Sequence, residues 1–108
     1  MMVALVQDLF FAARVQALAQ GSGVETKITT SSAEFLGLLA DLQPTHVLLD
    51  LSLVTEVILS QVSDVAHVAA FGPHVQREKF LAARRQGIKT LWANSALPER
   101  LPAWLLQS

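Results

Sequence analysis

Two acids, one histidine and a few polar residues could meet in this chain to do chemistry at one place. Asp8 follows the apolar run at residues 3–6, with Gln7 beside it. Asp50 stops the stretch THVLLDLSL, residues 45–53. Gly72, Pro73 and His74 follow a third apolar run, and Asn94 and Ser95 follow a fourth. An apolar stretch that ends on a carboxylate has three readings: a phosphate acceptor, a metal ligand, or a cap on what comes next. Asp8 has a similar choice, between sharing a cation with Asp50 and capping the helix it precedes. The amides from Gly72 to His74 could receive an anion, or form a plain strand-to-helix turn. His74 could join Asp8 and Asp50 around a metal. His46 and His67 precede or open apolar runs, which puts them at the far end of any parallel sheet and outside this group.

The elements that must position these residues alternate in type. Residues 3–6 read as a strand and residues 9–20 as a helix, with Phe11, Val15 and Leu18 on one face. Gly21 to Gly23 ends that helix. VETKITT alternates apolar and polar, as a half-exposed edge strand does. Ser31 and Glu34 form a capping box for a helix over 33–42, with Phe35, Leu38, Leu39 and Leu42 facing inward. Residues 46–50, HVLLD, read as the central strand, apolar on both faces as an interior parallel strand should be. The segment 52–62 suits a short helix with Leu53, Val57, Ile58 and Val62 inward. A strand over 67–71 leads to a helix within 72–87, with Pro73 near its start and Gly87 at its end. A fifth strand spans 88–93. A last helix over 97–106 has Pro98 in its first turn, and Pro102 should limit its regularity.

Five β-α units in sequence imply a parallel sheet covered by helices on both faces, an α/β three-layer α/β/α sandwich. With 108 residues and 52% apolar content, the chain is expected to form a single domain, residues 1–108, with a full core. Ligands of such sheets sit at the carboxyl ends of the strands, where every residue named at the outset falls except His46 and His67.

Composition removes several chemistries. With no cysteine there is no disulfide, thiolate metal site or cysteine nucleophile. A net charge of −1 with 16% charged residues gives no overall pull toward nucleic acid or anionic membrane. Gln7, Asp8 and Arg14 interrupt the apolar amino-terminal stretch, so neither a signal peptide nor a spanning helix is expected, and a cytoplasmic location is. No Gly-rich nucleotide fingerprint or serine elbow is present.

Taken together, these residues resemble a response-regulator receiver domain, of the chemotaxis-regulator kind, over nearly the whole chain. The resemblance implies a flavodoxin-like five-stranded sheet in the order 2-1-3-4-5. It places Asp50 at the phosphoacceptor position and Asp8 in the pair of acids that holds magnesium. The match is incomplete. Gln7 replaces one acid, Gly72 stands where a hydroxyl belongs, Asn94 replaces the lysine, and Ser95 the proline after it. Leu91, with Trp92 beside it, falls at the aromatic switch. Gln7 keeps an oxygen but no charge, so magnesium is possible but weak, and no cofactor is required. Each lost charge-assisted contact is worth roughly 1.5–3 kcal/mol. Two such losses weaken a phosphorylated state on the order of a hundredfold.

The resemblance therefore implies a non-catalytic pseudoreceiver, not an enzyme, that works through a protein partner or as a homodimer. Receivers often pair through the fourth helix, fifth strand and fifth helix, and that face here carries Arg77, Arg84, Lys89, Trp92, Glu99, Arg100 and Trp104 as interface candidates. The cations there, with Lys79 and Arg85, lack the interleaved aromatics of a nucleic-acid surface, and Glu78 interrupts them. The alternative is an atypical receiver phosphorylated on Asp50 with magnesium on Asp8. A third reading is a small-molecule sensor at the strand ends.

Overall fold

The computed structural model describes residues 1–108. Its elements are β1 (Met2–Leu5), α1 (Leu9–Gly21), β2 (Thr26–Thr29), α2 (Ser32–Leu42), β3 (His46–Asp50), a 3-10 turn (Leu51–Leu53), α3 (Glu56–Gln61), β4 (His67–Gly72), α4 (Arg77–Arg85), β5 (Thr90–Ala93) and α5 (Leu97–Leu105). The five strands form one parallel sheet in the order β2-β1-β3-β4-β5. The expected sandwich and strand order are both present.

Alternation along the strands divides the core in two. Met2, Ala4, Leu48, Ala69 and Phe71 point to one face, where Val15 and Ala19 of α1 and Leu97, Leu101, Trp104 and Leu105 of α5 cover them. Val3, Leu5, Val47, Leu49 and Ala70 point to the other, under Phe35 of α2, Ile58 of α3 and Ala83 of α4. Successive side chains of a strand alternate faces, so continuous apolar runs such as residues 2–5 and 47–49 are what a sheet covered on both sides requires. No helix is long and apolar enough to cross a membrane.

Local chemistry fixes the helix ends. The Asp8 carboxylate caps α1, and the Ser31 hydroxyl accepts from the Glu34 amide at the start of α2. Gly23 and Gly87 follow α1 and α4 with φ of +74° and +99°, left-handed values that cost a residue with a Cβ. Gln43 takes the same conformation without being glycine, at φ 46° after α2, and Pro44 then prevents a further turn.

Four expectations need correction. Helix α4 begins at Arg77, and Pro73 belongs to a preceding turn closed by the Gln76 amide on the Pro73 carbonyl at 3.0 Å. The segment 52–62 splits into the 3-10 turn and α3, and Val57 faces outward, 59% exposed. Leu42 lies at the open end of α2 and is exposed as well. Pro102 sits inside α5 without ending it.

Candidate functional site at the carboxyl ends of the strands

The parallel sheet brings the ends of β1, β3, β4 and β5 together. A cleft of about 470 Å³ opens there, lined by Gln7, Asp8, Phe11, Asp50, Ser52, Phe71, Pro73, Gln76 and Asn94. Of the expected site residues, Gln7, Asp8, Asp50, Pro73 and Asn94 share this cleft. Asn94 is set by its own amide, which donates to the Gly72 carbonyl at 2.9 Å.

Asp50 is tied down. Its Oδ2 accepts from the Gln7 amide at 3.1 Å, a bond that links the loop after β1 to the end of β3. Its Oδ1 accepts from the Ser52 amide at 3.0 Å and the Ser52 hydroxyl at 2.7 Å. Ser52 Oγ also lies 2.8 Å from Gln7 Oε1. A hydroxyl has one proton, and the carboxylate is the stronger acceptor for it. Gln7 therefore meets Ser52 through its amide nitrogen, with the two ends of the amide exchanged. Asp8 is engaged through one oxygen: Oδ1 accepts from the Phe10 amide at 2.8 Å and the Phe11 amide at 3.1 Å. Both carboxylates thus perform the capping that the sequence left open as one choice.

These residues do not fit a resident magnesium ion. Magnesium asks for an octahedron of hard oxygens, with one or two carboxylates held free to bind it. Here three donors already converge on Asp50, and Asp8 spends an oxygen on two helix amides. No three His, Cys, Asp or Glu side chains converge as metal ligands do. His74 does not join the acids. It lines a separate depression with Arg77, Phe80, Leu81, Arg84 and Ala93 on the α4–β5 side. The cleft itself contains no lysine or arginine, so nothing in its lining offsets the charge of a phosphoryl group.

Gly72 leaves little room for a side chain. A Cβ at this position would lie 3.1 Å from Leu51 Cδ1 and 3.3 Å from Leu51 Cβ. Leu51 is buried in the core under α2, α3 and α4, so the serine or threonine of the resembled pattern would press on a packed side chain. Neither Gly72 nor Ser95 lines the cleft.

Four lining residues escaped the sequence reading. Ser52 carried a signal, since a hydroxyl two residues after an acid at a strand end suits a local turn. Phe11 and Phe71 were legible only as core. Their rings stack at 4.9 Å and form the apolar floor. Gln76 sits in the turn mistaken for helix, and its Oε1 is the only buried side-chain polar atom without a partner.

The interface candidates separate by burial. Arg77, Arg84, Lys89, Glu99 and Arg100 are exposed, while Trp92 is partly covered by the core. Trp104 is only 4% exposed and packs edge-on against Trp92 at 5.4 Å, so it presents no surface to a partner.

No family model matches the chain, and no curated protein does. Solved structures do. The receiver domain of NtrX from Brucella abortus superposes with a TM-score of 0.80 at 17% identity, covering 100% of both chains. A response regulator receiver domain from Rhodospirillum rubrum gives 0.76 at 15% identity, covering 99% of this chain and 94% of that one. The solution structure of a response regulator protein from Burkholderia multivorans gives 0.67 at 18%, covering 99% and 95%. The fold of this chain is the receiver fold, along its whole length.

Proposed function

We propose that this chain is a receiver-fold module that has given up phosphoryl chemistry and acts in signalling by protein–protein contact. One observation carries the reading: the acceptor-position carboxylate is engaged by three hydrogen bonds in a cleft without a single cationic side chain. Asp50 then serves as a latch between the β1 and β3 loops. The close packing of Gly72 on Leu51 supports the same reading from a second side.

The surface best suited to a protein partner is the α4–β5–α5 face. Helix α4 carries four cations against Glu78 alone. Arg77, Phe80, Leu81 and Arg84 follow helical spacing on one stripe, with Leu81 51% exposed between the two guanidiniums. Arginine beside exposed apolar side chains is typical of binding hot spots. The reading is of a cytoplasmic, non-enzymatic protein that meets a second copy or an acidic partner there, and not nucleic acid or membrane.

The test is intact-mass analysis after incubation with magnesium and a small phosphodonor, beside Asp50→Asn. The expected result is no adduct on either protein. A phosphoryl adduct on wild type alone overturns the reading in favour of an atypical receiver phosphorylated on Asp50. The interaction half is tested by sedimentation and by capture with Arg77→Glu and Arg84→Glu. A monomer whose captured proteins are the same with and without these substitutions removes that face from consideration.

A further inference from the structure

The opposite end of the sheet holds a group that the cleft does not use. His46 and His67 open β3 and β4 and are register partners. Their rings stack with centroids 4.5 Å apart. His46 is only 4% exposed. Its Nε2 lies 3.1 Å from the Trp104 carbonyl oxygen in the last turn of α5, and its Nδ1 lies 2.8 Å from Thr45 Oγ1. A carbonyl only accepts, so Nε2 carries the hydrogen, and in the neutral ring Nδ1 accepts from the threonine hydroxyl. The Trp104 indole stands edge-on to His46 at 4.9 Å. His67 Nε2 lies 3.2 Å from the Ser108 backbone oxygen. Two stacked imidazoles thus tie the carboxyl end of α5, and the residues after it, to the foot of the sheet.

The charges around His46 are mostly of one sign. From the β1 side comes the Met1 ammonium, 3.5 Å from Thr45 Oγ1. From β4 comes His67, and Lys89, just before β5, lines the same cavity as His67, Trp104 and Gln107. Helix α5 contributes carbonyls, its acid Glu99 lying in the first turn at the other end. The Ser108 backbone oxygen faces His67 instead. Burial above all, then the charge of His67, pulls the His46 pKa below its ordinary 6.5, with the ammonium adding to this and the Trp104 and Gln107 carbonyls opposing it.

We propose that the His46–His67 pair is a proton-operated clamp on α5: neutral, it holds Trp104, Gln107 and Ser108 in place; protonated, it lets them go. Two like charges in stacked rings at the edge of the core repel with little water between them. The sign follows from linkage. The closed state keeps His46 neutral, whereas an open state exposes the ring and lets it take a proton. Opening is therefore favoured as pH falls below 6.5 and is suppressed above it. One proton taken up raises the opening constant by at most about tenfold per pH unit. This clamp stands independently of what the cleft does.

Amide hydrogen exchange on the full chain, corrected for the intrinsic pH effect, tests it from about pH 7.5 to about pH 5. The amides to follow are Leu106 and Gln107, which donate to Ala103 and Trp104. The expected result is that their opening rises steeply below pH 6.5 while β3 and β4 amides stay protected. His67→Phe keeps a stacked ring but removes its charge, so the closed His46 takes a proton more readily and the rise should become smaller. Opening that does not depend on pH overturns the clamp. So does an unchanged pH dependence in His67→Phe, or loss of β3 and β4 protection at the same pH. If that variant fails to fold, the His46 ring is titrated by NMR in wild type, and a pKa at or above 6.5 overturns the clamp as well.

Discussion

The two ends of the sheet hold comparable numbers of polar groups and use them differently. At the carboxyl end, Asp8, Asp50, Gln7 and Ser52 are mostly open to water and bond chiefly to the loops beside them. At the amino end, His46 is enclosed and bonds to a helix 58 residues away in the chain. Water competes for every bond at the first end and for few at the second. Loss of a group should therefore be cheap where the family resemblance locates chemistry, and expensive where it locates none.

That contrast can be broken by experiment, most readily with Trp104→Ala. Removing a buried indole that touches both His46 and Trp92 should cost about 3–5 kcal/mol, read from urea unfolding. A cost as small as that of a surface substitution would end the comparison. Gly72→Ser comes next. Pressing a side chain onto Leu51 should cost about 1–3 kcal/mol, and Leu51→Ala should absorb part of it. The full double-mutant cycle measures that coupling, and strict additivity would mean that the contact is not what excludes the hydroxyl. Asp8→Ala should cost about 1 kcal/mol through the lost cap of α1, with the change confined to early α1 amides in hydrogen exchange. The smallest effect expected is a pH dependence. A histidine held neutral in the folded state makes the unfolded chain the better proton binder below pH 6.5, so the urea midpoint should fall on acidification through that value. His67→Phe should flatten this fall, whereas Asp50→Asn should leave the histidine-linked part unchanged, which assigns that part to one end of the sheet.

Much of the fold was legible because each element announced its period. Leu97, Leu101, Trp104 and Leu105 recur at helical spacing, and all four are buried in α5. Trp104 belongs to that same stripe, yet the family resemblance made it an interface candidate, and its burial corrects that expectation. What the sequence could not show depends on register between strands. Nothing local says that His46 lies beside His67, because that follows from how β3 aligns with β4. The start of α4 was misplaced because Pro73 suits a first helical turn as well as the separate turn it occupies. At the cleft, the positions of Asp8, Asp50 and Asn94 were readable from strand ends. The bonds that engage Asp50 were not, since they depend on a loop from β1 arriving within hydrogen-bond distance.

The contact between Gly72 and Leu51 also makes the two positions conditional on each other. Any side chain added at position 72 meets a place that Leu51 already fills, so a change there is tolerated only together with a second change at position 51. The two residues form one unit of variation, and its key is a hydrocarbon side chain.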